Sequence, residues 1–171
     1  CFCRNYGSTL ALGTGRHILG GGKIMFRFLL VVAVILAADQ LSKYLIRANF
    51  ALGESMPIID NFFHLTYIEN PGAAFGFLAN KTVFFVILTV IIVAVLIYLA
   101  VKMKDKHSLS YYALALVVGG ALGNFYDRLS KGTVTDMFDF RIWPVFNVAD
   151  MALVIGLLYI AYRLIFHGED F

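Results

Sequence analysis

Hydrophobic positions in this chain fall into four blocks rather than into stripes. In residues 25–46, 82–101, 109–129 and 146–166 most positions are apolar all the way round, leaving no broad face for water. About 20 such residues in a helix cross a bilayer core of about 30 Å, and a helix satisfies its own backbone there. The pattern therefore predicts four membrane spans. The second, TVFFVILTVIIVAVLIYLAV, carries no charge at all. Between the blocks the pattern changes. FFHLTYIEN at 62–70 is rich in β-formers and runs into the turn signal NPG, and TVTDMFDFRIW at 133–143 has the same character. The fold class expected is an all-α membrane protein with four transmembrane helices and a small extracytoplasmic β element.

Composition removes the alternatives. The 171 residues are 60% apolar and 15% charged, against about 45–50% and about 25% in soluble domains. One small water-soluble core cannot hide that excess, and disorder requires the opposite composition. Cys1 and Cys3 at the extreme terminus form neither a disulfide framework nor a zinc motif. The net charge of +3 comes without a basic block, so nucleic acid is not expected as a partner. Residues 1–24 are Gly-rich and non-periodic; they are read as a non-native or upstream extension, flexible, with a single four-span domain over 25–171.

Charge then orients the spans. Four spans leave both termini on one side, and Lys and Arg collect on the cytoplasmic side of short loops. Arg4, Arg16, Lys23 and Arg27 precede or open the first span, Lys102, Lys104 and Lys106 fill the loop between the second and third, and Arg163 closes the fourth. Fewer basic residues lie on the other side: Arg47, Lys81, Arg128, Lys131 and Arg141. The bias places both termini in the cytoplasm.

Ionisable residues within spans are costly and usually serve function. Here they share one depth. Asp39 and Lys43 lie near the outer end of the first span, Asn124, Asp127 and Arg128 at the outer end of the third, and Asn147 and Asp150 at the opening of the fourth. Asp136 sits in the short connection between the third and fourth, which forces Asp127, Asp136 and Asp150 together. Like charges in a poor dielectric push one pKa up, so that two carboxylates share a proton and divide the roles of acid and base. Such a pair can activate water against an amide. No Ser-His-Asp, Cys-His or HExxH arrangement competes, and neither a metal nor an organic cofactor is called for.

Each of these residues also has a structural reading. Asp39 and Lys43 are four apart in the favourable order for an interfacial ion pair. Asp127 and Arg128 could be a supporting pair at a helix end. Asn147 could cap the fourth helix, with Asp150 in its first turn. Gly119, Gly120 and Gly123 suit close helix packing. A proton-coupled transporter would use buried acids too, but the acids gather at one surface and no line of polar residues crosses the second or fourth span. A purely structural four-span subunit is a third reading. Ion flux in liposomes separates the transporter; the stability of Asp-to-Asn variants separates the subunit.

At these positions the chain resembles the bacterial lipoprotein signal peptidases, or signal peptidase II. The matching segments are DQLSK (39–43), NPGAAFGFL (70–78), GGALGNFYDRL (119–129), the VTD of GTVTDMFDF (132–140) and FNVAD (146–150), in family order. The resemblance implies a monomeric, multi-pass aspartic endopeptidase of the bacterial inner membrane, with its site on the extracytoplasmic side. It would act on prolipoproteins carrying a diacylglyceryl group, cutting before the modified cysteine, with membrane lipid around the substrate's chains. It makes Asp136 and Asp150 the catalytic pair. It assigns Asn70, Asn124, Asp127, Arg128, Asn147 and Asp39 to substrate binding or support. Asp139 is the nearby acid that the VTD context sets aside.

Overall fold

A computed structural model describes residues 16–72, 82–103 and 108–168, with side chains from Ile24 onward. Residues 73–78 of the NPGAAFGFL motif, Lys81, Lys104 and Lys106 lie outside the described residues, as do Arg4 and the side chains of Arg16 and Lys23.

The chain runs α1 (Arg16–Asn49), β1 (Ser55–Ile59), β2 (Phe63–Asn70), α2 (Thr82–Lys102), α3 (Leu109–Lys131), β3 (Val134–Asp139) and α4 (Val148–His167). All four expected spans are present, and each helix is long and apolar enough to cross a membrane. The α1 helix begins upstream of Met25, where the sequence pattern had placed the start of the span. The three strands form one antiparallel sheet in the order β1-β2-β3. Two of these strands fall on the β-rich segments; β1 was not expected. Its pattern is unreadable because all five of its residues are exposed, so no buried face imposes alternation. Pro57 is tolerated there because β1 is an edge strand.

Residue size decides which helix is central. α3 packs against α1, α2 and α4. It carries the small residues Ala113, Ala115, Gly119, Gly120, Ala121 and Gly123, all buried. Between helices already in lipid, close backbone approach replaces hydrophobic burial as the source of attraction. A Cβ added at Gly120 would clash with the Ala149 carbonyl oxygen, and one at Gly123 would stand 2.6 Å from Asp39 Oδ2. The GGxxG face thus sets how near α1 and α4 come. The large side chains of α1, α2 and α4 point outward, as Leu29, Leu41, Val90, Ile97, Ile155 and Leu158 do. This is the surface a bilayer would cover.

Local signals hold the site end together. Gly132 ends α3 in the left-handed conformation at φ 82°, and its N–H donates to Arg128 O. The chain turns directly into β3, whose Asp136 pairs with Ile68 of β2. After β3 the chain doubles back, with Phe138 N donating to Phe146 O and Phe146 N to Phe138 O. Asn147 then caps α4. Its side chain accepts from Asp150 N while Asp150 accepts from Asn147 N, a reciprocal capping box.

Candidate active site

β3 and the first turn of α4 bring Asp136 and Asp150 into one network, and three asparagines fasten it. Asn147 Nδ2 donates to Asp136 Oδ1 at 2.6 Å and Asn70 Nδ2 donates to Asp136 Oδ2 at 3.0 Å. Asn124 Nδ2 donates to Asp150 Oδ1 at 2.7 Å and Asn147 N donates to Asp150 Oδ2 at 3.2 Å. Asn147 Nδ2 also reaches Asn124 Oδ1 at 3.1 Å, so the two asparagines join the two carboxylates. The capping role of Asn147 and Asp150 and their place in the network are therefore the same fact. A helix N-terminus presents unpaired N–H groups, and the carboxylate that satisfies one is held in place by it.

Asp136 is 1% exposed. Burial, and then the charge of Asp150, push its carboxyl up from 3.8 to about 7, partly offset by Asn70, Asn147 and Lys43. Asp139 behaves oppositely. Burial alone would raise it, but the Arg141 N–H, the Thr66 hydroxyl and the Arg141 guanidinium hold it below the usual carboxylate range. Three residues along a strand reverse the face, since strand side chains alternate. Asp139 is thereby turned to Thr66 and Arg141.

Both carboxylates line one end of a groove of about 510 Å³. Beyond them its wall is apolar: Ile92 and Leu96 from α2, Val117 and Ala121 from α3, Leu153 and Leu157 from α4. From Asp150 to Leu157 an α-helix rises about 10 Å. An apolar segment can lie there with a peptide bond presented at the carboxylates.

The supporting residues divide into two groups. Asn70, Asn124 and Asn147 touch the carboxylates. Asp39 and Asp127 instead hold Lys43, whose ammonium lies 2.8 Å from Asp39 Oδ2 and 3.3 Å from Asp127 Oδ2, with Lys43 and Asp39 at 0% exposure and Asp127 at 1%. This corrects two sequence expectations. Asp39 and Lys43 are not a solvated interfacial pair; they are sealed between α1 and α3, and Asp39 Oδ1 also accepts from Ala149 N of α4 at 3.0 Å. Asp127 and Arg128 do not support each other, because adjacent residues on a helix point apart. Asp127 accepts from Thr135 N at 3.1 Å beside its contact with Lys43, whereas Arg128 donates to Gly72 O at 3.1 Å and lies 4.8 Å from the Phe85 ring centre. Sequence reasoning missed that Asp39 reaches α4, and it missed Gln40, which donates to Asp39 and to Gly123 O. A signal for the first was available: Gly123 leaves room only for a close neighbour.

Comparison with known proteins gives the same class throughout. The model of a family described as signal peptidase (SPase) II matches residues 31–166. The lipoprotein signal peptidase of Moorella thermoacetica is 52% identical over 138 residues, covering 81% of this chain and 92% of that one. That of Caldanaerobacter subterraneus is 47% identical over 141 residues, covering 82% and 97%. A bacterial membrane enzyme solved by the in meso method at 2.3 Å superposes with a TM-score of 0.78 at 36% identity, covering 81% of this chain and 87% of that one. Four spans and this likeness define a membrane-embedded aspartic protease. The chain belongs to the signal peptidase II family.

Proposed function

We propose that this chain removes the signal peptide of diacylglyceryl-modified prolipoproteins in a bacterial inner membrane, cutting before the modified cysteine, with Asp136 and Asp150 as the catalytic pair. The observation that carries the reading is the placement of two asparagine-linked carboxylates at the end of an apolar groove. Asp136, whose proton is held up to about pH 7, is the acid. Asp150 is the base. Asp150 takes a proton from a water that attacks the carbonyl before the modified cysteine, Asp136 donates to the carbonyl oxygen, and a proton then passes to the leaving amine. Apolar binding along α2 and α4 positions the scissile bond from a distance. The test is purified protein in detergent with modified and unmodified forms of one prolipoprotein. Cleavage of the modified form alone is expected; equal cleavage of both would remove the lipid requirement.

The sheet, the capped start of α4 and the carboxylates share one end of the bundle, opposite the end of α2 at Lys102. That arrangement supports cytoplasmic termini and an extracytoplasmic site. A cysteine placed near Lys131 should react with a membrane-impermeant thiol reagent in intact cells, and one near Lys104 should not. The reverse labelling would invert the topology.

A pH dependence follows from Asp136. An acid holds its proton below its pKa, so the form that donates is lost as pH rises through about 7. Turnover should fall along an alkaline limb near that pH. Between 3.8, the ordinary value, and about 7 the folded chain keeps a proton that the unfolded chain has released. Folding is therefore favoured at the acid end of that window, and the contribution is lost as pH rises through it. A turnover profile flat from pH 6 to pH 9 would refute the assignment of Asp136 as the acid.

A further inference from the structure

Among the described residues, Lys43 is a buried cation for which the proposed mechanism has no use. It is fully buried and is not part of the groove wall. Its Nζ donates to Asn124 Oδ1 at 3.0 Å, and this is the same amide whose Nδ2 donates to Asp150 at 2.7 Å. An asparagine amide can sit either way round, with its oxygen and nitrogen exchanged, and its neighbours decide which. An ammonium has donors and no acceptor, so it can face only the oxygen. The second neighbour of that oxygen is equally constrained. Asn147 Oδ1 is occupied by Asp150 N at 2.9 Å, which turns Asn147 Nδ2 toward Asn124 Oδ1.

We propose that Lys43 is a positioning residue: by donating to Asn124 Oδ1 it locks the amide with its N–H₂ group toward Asp150. Without that donor, a reversed amide would place its oxygen against the Asp150 carboxylate, two acceptors facing each other. The partners that hold Lys43 in place are Asp39 of α1 and Asp127 of α3. The ion cluster behind the site thereby serves the orientation of the base as well as the joining of the helices.

The inference rests on the reading of Asp136 and Asp150 as the cleaving pair, and its test separates the two. kcat and KM are measured on a diacylglyceryl-modified prolipoprotein at equal amounts of folded enzyme for Lys43→Met and Lys43→Gln. Methionine keeps the bulk and donates nothing. Glutamine has no charge but can donate to Asn124 Oδ1. Lys43→Met should lower kcat by about 10- to 100-fold, the scale for loss of an outer partner that orients an acting group, with KM little changed. Lys43→Gln should recover most of that loss. Parental kcat in folded Lys43→Met, or a Gln variant as slow as the Met variant, overturns the inference, because ion-pair strength alone would then account for Lys43. If Lys43→Met does not fold, the same Met and Gln comparison is made in the Asp39→Asn background, where one buried negative charge is removed with the positive one. Turnover lost in Asp150→Asn but kept in Lys43→Met overturns this inference alone. Turnover retained in Asp150→Asn removes the reading beneath it and the inference with it.

Discussion

Replacing either Asp136 or Asp150 by Asn should leave a folded four-helix protein whose turnover falls by about 10²–10⁴-fold, the range that general acid or base catalysis supplies. The amide has the size of the carboxylate, and its oxygen can still accept one of the hydrogen bonds each site offers. At 136 that bond is the one from Asn147 or from Asn70. At 150 it is the one that closes the capping box with Asn147 N. One donor is left facing an N–H₂ group in each case, a cost of about 1–3 kcal/mol. The fold can bear this, because α3 and α4 are joined by their whole packed length. What the amide cannot do is take or release the proton. Cleavage of a diacylglyceryl-modified prolipoprotein, normalised to folded protein, measures the effect. Turnover within tenfold of the parent in either variant would contradict the two-carboxylate mechanism.

Asp39→Ala should unfold the protein far more readily than its position near the end of a membrane span suggests. A solvated ion pair contributes about 0–1 kcal/mol. Asp39 is not solvated: it is 0% exposed, pairs with Lys43 and accepts from Ala149 N. Removing Asp39 takes away the nearer of the two carboxylates facing Lys43 and leaves the ammonium to Asp127 alone, and breaking a buried pair costs roughly 3–5 kcal/mol. Here the loss also strips a partner from an N–H in the first turn of α4, the turn that holds Asp150. Asp39→Asn should be milder, since the amide oxygen can still meet Ala149 N. Thermal unfolding in detergent compares the two with the parent. A change below about 1 kcal/mol for Asp39→Ala, as for a surface pair, would show that Asp127 alone satisfies Lys43.

The two substitutions mark the line between what sequence and fold each decide. The spans were legible because membrane crossing depends on length and local hydrophobicity, and neither needs a partner. That Asp136 and Asp150 come together was legible in the short connection between α3 and α4, and in the VTD and FNVAD segments the signals that build the structure coincide with the proposed chemistry. Asn147 and Asp150 are three apart because a capping box requires it, and the same spacing points Asp150 at the site. The strand β1 was not legible, because an exposed edge strand has no buried face to impose a pattern.

The chain by itself determined four spans, a sheet built on 62–70 and 133–143, and a set of acids at one depth. Only the tertiary structure decided how those acids divide. Asp39 and Asp127 lie 97 and 9 residues from Asp136 by number, yet one ammonium draws them to a single point behind the site. That point exists because Gly120 and Gly123 let α4 and α1 close on α3. Whether an acid is sealed against a lysine or left facing a groove depends on which side chains surround it in space. Sequence spacing carries that information along one helix, where turn geometry is fixed, and loses it between helices, where packing sets the distance.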